Sequence, residues 1–131
     1  MTFLSGYETL DKIASGGFST VYKVRELAPP YRCFAAKQFK NLYDHAVFEQ
    51  ELHSLNAVKH LSSVQRLHRA IRHTDQLIIL TEYIEGESLK SLVNRDAPLS
   101  EQKALTILLE LCQIVAKVHA EGMLHLDLKP S

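Results

Sequence analysis

The chain has 131 residues, 46% of them hydrophobic and 23% charged. That is globular composition, and it excludes a disordered tail, a collagen and a disulfide scaffold. Lys and Arg number 15 against 15 Asp and Glu, a formal net charge of zero, so the composition carries no electrostatic footprint for nucleic acid or an anionic membrane. Cys33 and Cys112 stand far apart without metal-ligand spacing, which predicts two small buried apolar residues in a reducing, cytoplasmic setting. Glu8, Asp11 and Lys12 interrupt the N-terminus before an apolar run forms, so no signal peptide is expected. The most apolar stretch, Ala104 to Val118, is broken by Glu110, Gln113 and Lys117 and is too short and polar to span a bilayer.

In chain order, Tyr7 to Ala14 reads as a strand, Ser15-Gly16-Gly17 as a turn, and Thr20 to Glu26 as a second strand. Ala28-Pro29-Pro30 breaks that run, and Arg32 to Phe39 is a third strand. A helix fits Asp44 to about Val58, with Asp44 as its cap. Phe48, Leu52 and Leu55 recur at i, i+4 and i+7 and define its buried stripe. At about 100° per residue Glu51 falls inside that stripe, and a carboxylate aimed at a core needs a cationic partner or an altered pKa.

Strands from Val64 to Arg72 and Gln76 to Tyr83 follow, joined by a His73-Thr74-Asp75 turn. After Glu85-Gly86 the pattern turns helical: a short helix over Ser88 to Val93, then a long one from Glu101 to about Glu121. Ser100 caps the long helix and Gly122 stops it. The order predicts an α+β chain, an antiparallel sheet with one inserted helix followed by a helical part. His45, His53, His60, His68, His73 and His119 show no metal spacing and read as solvated or core-satisfied.

Four segments carry the chemistry. Between the first two strands, Ile13-Ala14-Ser15-Gly16-Gly17-Phe18-Ser19-Thr20-Val21 is a small-residue hairpin whose backbone N–H groups a phosphate could approach; a plain turn is the alternative. Ala35-Ala36-Lys37 places a lysine mid-strand among apolar residues, either at a sheet edge or as a buried cation. Thr81-Glu82-Tyr83-Ile84-Glu85-Gly86 is an apolar strand running into a linker. The fourth is Leu124-His125-Leu126-Asp127-Leu128-Lys129-Pro130-Ser131.

In order and spacing, these four segments together resemble the N-terminal portion of a protein kinase catalytic domain of serine/threonine type, ending inside the catalytic loop. The resemblance implies a small lobe over residues 1–84, a five-stranded antiparallel sheet plus one helix. The hinge and first helices of a large lobe would fill 85–131. It implies ATP as ligand, Mg2+ for the complete domain, a protein substrate, and no nucleic-acid or membrane partner.

Residue by residue, the glycine-rich loop maps onto Ala14 to Val21, with Gly16 the one signature glycine kept and Ala14 and Ser19 replacing the others. Ser15 and Gly17 complete the loop, Phe18 would cap its tip, and Val21 would lie against adenine. Ala35 would line the adenine pocket, Lys37 would contact the α- and β-phosphates, and Glu51 would pair with Lys37. Thr81 matches the gatekeeper, Glu82 and Ile84 would offer main-chain groups to the adenine edge, and Ser88 would neighbour the ribose. Asp127 matches the catalytic aspartate, His125 the architectural histidine, and Lys129 the lysine that supports the transferring phosphate in serine/threonine kinases. Leu126 stands where the family has an arginine that reads a phosphorylated activation loop, implying independence from that switch.

The family's magnesium-holding asparagine would follow Ser131, and its Asp-Phe-Gly later still, so the 131 residues alone are expected not to transfer phosphate. Two other readings remain open: a non-catalytic pseudokinase or interaction module, and a small-molecule phosphotransferase of the aminoglycoside-kinase type.

Overall fold

A computed structural model of the chain describes residues 3–125 and 128–130. It divides into two compact units, Met1–Ile84 and Glu85–Ser131. The first holds strands β1 (Tyr7–Ser15), β2 (Ser19–Glu26) and β3 (Cys33–Phe39), helix α1 (His45–Val58), then β4 (Leu67–Arg72) and β5 (Leu77–Glu82). The five strands form one antiparallel sheet in the order β1-β2-β3-β5-β4. The predicted α+β sheet with one inserted helix is what forms.

The sheet buries residues on both faces because β3 and β5 alternate two apolar sets. On one face Val24, Phe34, Ala36, Ile78 and Leu80 are covered by the N-terminal residues Leu4 and Tyr7, with Phe3 and Tyr22 packed alongside. Gln76 Nε2 donates to the Phe3 carbonyl at 3.1 Å and holds that segment down. On the other face Phe39, Leu77 and Ile79 meet Phe48 and Leu52 of α1. The rings of Phe39 and Phe48 pack edge to face with centroids 5.4 Å apart. Arg72 of β4 also pairs with Glu49 of α1 at 2.6 Å, and that guanidinium holds the Glu49 carboxyl below its ordinary range.

Phe48 is fully buried and is the main anchor of α1. Phe48→Ala is expected to destabilise the sheet unit by about 3–5 kcal/mol, as large-to-small core changes do. Thermal unfolding followed by circular dichroism checks this, and an unchanged midpoint would show that α1 is held by other contacts.

Three details differ from the sequence-based expectations. Asp44 does not cap α1 with its side chain; a 3-10 turn, Leu42–Asp44, leads straight into the helix, and Asn41 Oδ1 caps that turn by accepting from Tyr43 N–H at 3.0 Å. Strand β4 begins at Leu67 rather than Val64, because Arg66 is tied by the Glu82 side chain: its N–H donates to Glu82 Oε1 at 2.9 Å. Cys112 is exposed and Cys33 only half-buried, so the expectation of two buried thiols is corrected. Cys112 lies on a helix of the second unit in which no residue is buried.

That unit contains α2 (Leu89–Asp96) and α3 (Glu101–Ala120). Ser88 caps α2 by accepting from Ser91 N–H at 3.1 Å, and Ser100 caps α3 by accepting from Lys103 N–H at 3.2 Å. Asp96 takes charged hydrogen bonds from Arg95 at 2.9 Å and Lys103 at 3.0 Å, which hold its carboxyl far below the usual range and tie the two helices. Gly122, at φ +76, terminates α3 in a conformation that favours glycine. Among the described residues, no helix is long and apolar enough to cross a membrane.

Candidate functional site

Strand register gathers the site residues of the first unit. In antiparallel pairing, directly opposed residues share a face. Val21 opposes Lys37, Lys37 opposes Ile79, and Ala35 opposes Thr81. Val21, Lys37, Ala35 and Thr81 therefore share the α1 face of the sheet. Ala35 and Thr81 are buried.

The Lys37 ammonium lies 2.7 Å from Glu51 Oε1 and 2.6 Å from Glu51 Oε2. The helical stripe that put Glu51 toward the sheet thus ends at a cation in the middle of β3. Both side chains keep about a third of their surface open, 32% for Lys37 and 31% for Glu51. The pair is fixed in position and still reachable from solvent.

The hairpin between β1 and β2 is tight at its neck. Gly16 N–H donates to the Ser19 carbonyl at 2.8 Å, and the hydroxyls of Ser15 and Thr20 lie 3.3 Å apart. Phe18 at its tip is 60% exposed. Ala14 opposes Val21, and the residue before it, Ile13, is skipped in the pairing at a bulge and stands exposed. The sequence reading included Ile13 in this segment; the bulge that leaves it outside the pairing was missed, since a bulge leaves no periodic signature.

Lys40 was missed as well. Its N–H donates to the Phe18 carbonyl at 2.9 Å, and its ammonium donates to the Gly16 carbonyl. A lysine just past a strand end carries no signal by itself.

At the end of β5, Glu82 is tied on three sides. Its N–H donates to the Arg66 carbonyl at 2.9 Å, its carbonyl accepts from Gln65 Nε2 at 3.1 Å, and its carboxylate holds Arg66 N–H. Ile84 is 62% exposed. The neighbouring Tyr83 ring carries the Lys23 ammonium 4.0 Å from its centroid.

In the second unit the Ser88 hydroxyl is already the α2 cap. The segment after Gly122 is joined to the start of α2 by a bond from Lys90 N–H to the Pro130 carbonyl at 3.0 Å. His125 and Lys129 are exposed. Leu126 and Asp127 lie outside the described residues, so the expectations placed on them have no structural description. Among the described residues, no group of three or more His, Cys, Asp or Glu could hold a metal ion.

A five-stranded antiparallel sheet carrying one helix, with a mid-strand lysine paired to a helix glutamate beneath a small-residue hairpin, is the small-lobe arrangement of a phosphoryl-transfer domain. The protein kinase domain family matches residues 7–131, and the chain belongs to that family. It is 26% identical over 133 residues to a Lactococcus lactis protein named "Probable serine/threonine-protein kinase PknB", covering 98% of this chain and 21% of that protein. It is 28% identical over 138 residues to serine/threonine-protein kinase D of Synechocystis, covering 97% of this chain and 26% of the relative. It is 31% identical over 122 residues to mouse dual specificity testis-specific protein kinase 1, covering 93% and 19% respectively. The chain thus spans about a fifth to a quarter of the length of these relatives.

Proposed function

We propose that this chain carries the nucleotide-binding part of a protein serine/threonine kinase, residues 1–84 forming its small lobe and 85–131 the hinge and start of its large lobe. The observation that supports this most is the Lys37 ammonium, held by both oxygens of Glu51 on the sheet face shared with Val21, Ala35 and Thr81. An apolar face beside a fixed cation suits a flat base joined to a chain of phosphates.

On this reading adenine packs against Val21 and Ala35, and Thr81 bounds the pocket behind it. Main-chain groups of Glu82 and Ile84 read the adenine edge, and Ser88 lies near the ribose. Lys37 holds the α- and β-phosphates, with Glu51 fixing its position. Ala14, Ser15, Gly16, Gly17 and Phe18 cover the phosphates. Asp127 takes the proton of the Ser or Thr hydroxyl of a protein substrate, and Lys129 steadies the transferring phosphoryl group. The nucleotide supplies that group when bound. The setting is cytoplasmic, which suits two free thiols.

ATP titration of the 131-residue chain, without added metal, tests the nucleotide half: saturable binding that adenosine displaces is expected. Failure of ATP or adenosine to bind would overturn the reading. Transfer is tested on the natural full-length product with radiolabelled ATP and a Ser/Thr-containing protein. Asp127→Asn is expected to abolish labelling while leaving ATP affinity within about twofold, because a proton acceptor contributes to the transition state rather than to ground-state binding. A second reading, a nucleotide-binding module without catalysis, draws on the loss of two signature glycines at Ala14 and Ser19. It predicts ATP binding and no labelling in the same assay.

A further inference from the structure

Lys40 makes two bonds to the β1–β2 hairpin, and together they fix which way a loop peptide faces. Its backbone N–H extends the β2–β3 ladder by one rung to the Phe18 carbonyl at 2.9 Å. Its ammonium reaches further, to the Gly16 carbonyl. The peptide joining Gly16 to Gly17 is trans, since cis bonds occur here only before proline. In a planar trans peptide the carbonyl and the following N–H point in opposite directions. Holding the Gly16 carbonyl toward Lys40 therefore turns the Gly17 N–H away from it.

The direction it turns follows from strand alternation. Lys37 and Phe39 face α1, where they meet Glu51 and Phe48. The next residue, Lys40, lies in the bend that ends β3 and keeps the ladder bond to Phe18, so alternation carries its side chain to the opposite side of the sheet. A carbonyl drawn to that side leaves the Gly17 amide on the side of the Lys37 ammonium. Phosphate oxygens are attracted by amide N–H groups and repelled by carbonyl oxygens, so this is the productive orientation. The restraint acts where the chain is least constrained. A peptide between two glycines has no intrinsic preference for either face. A Cβ at Gly17 would meet nothing within 4 Å, so the loop is open on that side.

We infer that Lys40 is a positioning residue of the phosphate-binding loop: its ammonium pins the Gly16 carbonyl so that the Gly17 amide is presented on the Lys37 side. The ligand in this inference rests on the nucleotide reading above, whereas the pin can be measured without any ligand. The experiment compares the 131-residue chain, kept dispersed by Leu105→Glu with Leu109→Glu on helix α3, with its Lys40→Met and Lys40→Arg variants. Backbone relaxation of the nucleotide-free protein reads the order of the Gly17 amide, and titrations with ATP and with adenosine read affinity.

Lys40→Met is expected to lower the Gly17 order parameter from near ~0.85 toward ~0.6. It is expected to weaken ATP about tenfold, the loss of one well-oriented donor to a charged group, and to leave adenosine unchanged. Lys40→Arg, which keeps a cationic donor, restores both. Weaker ATP with an unchanged Gly17 order would mean that Lys40 acts through bare charge, and the inference falls. Equal loss for ATP and adenosine would mean a damaged fold, and it falls again. If the parent chain binds neither ATP nor adenosine, the nucleotide reading fails separately, and the Gly17 order with its rescue by arginine still decides whether Lys40 is the pin.

Discussion

Lys37→Met is expected to weaken ATP binding by one to two orders of magnitude while leaving thermal stability nearly unchanged. Two magnitudes separate the effects. An ion pair with about a third of each side chain open to water contributes little to folding, since exposed pairs are worth about 0–1 kcal/mol. A phosphate that loses a charge-assisted hydrogen bond loses about 1.5–3 kcal/mol, which is about a tenfold to more than a hundredfold change in affinity. Calorimetric titration with ATP and a thermal melt of the same samples give both numbers. A large drop in the melting midpoint with unchanged ATP affinity would make Lys37 a structural residue and remove it from the site.

Glu51 enters the same experiment through its partner. Its two oxygens at 2.7 and 2.6 Å fix an ammonium that would otherwise sample several rotamers. Glu51→Gln should therefore weaken ATP by less than Lys37→Met does. In the Lys37→Met background it should do nothing further. Residues acting through one another give such non-additive cycles, whereas independent contacts add.

The parts of this site legible in the sequence were those with a period or a composition. Glu51 lay on the Phe48–Leu52–Leu55 stripe, which pointed it at the sheet before any partner was known. Thr81 ended an apolar run and is buried, as a central strand flanked by β3 and β4 requires. What stayed hidden depended on bonds between distant segments. Gln65 reaches the Glu82 carbonyl across 17 residues, and Lys40 reaches Gly16 across 24. Neither side chain belongs to a repeating pattern, so only the folded register brings each to its acceptor. The Asp44 cap failed for a similar reason. Asn41 offered a competing cap three residues earlier, and the chain used it to enter α1 through a 3-10 turn. Cys112 misled because an apolar helix predicts burial without saying which side is covered.

That uncovered helix makes the other large effect: the 131-residue chain, expressed alone, is expected to self-associate and to expose hydrophobic surface. Along α3, Ala104, Ile107, Ile114, Val115 and Val118 are half-buried, which defines one stripe. Leu105, Leu108, Leu109 and Cys112 follow the same i, i+3, i+4, i+7 spacing on another stripe, and all four are exposed. Leu105, Leu108 and Leu109 keep 57%, 55% and 61% of their surface in water. A helix apolar on two sides is built to sit within a larger body. With just over half of its surface in water, each leucine forgoes about 1–2 kcal/mol of burial, against a net domain stability of about 5–15 kcal/mol. Three adjacent leucines thus represent about 3–5 kcal/mol, close to the lower end of that range, and concentrated in one patch they favour association. Light scattering should show particles larger than a monomer, and a hydrophobic dye should bind and fluoresce. Leu105→Glu with Leu109→Glu, both on the exposed stripe, should disperse the particles without loss of the sheet signal. A monodisperse parent chain that unfolds cooperatively and binds no dye would show that the second stripe is innocuous.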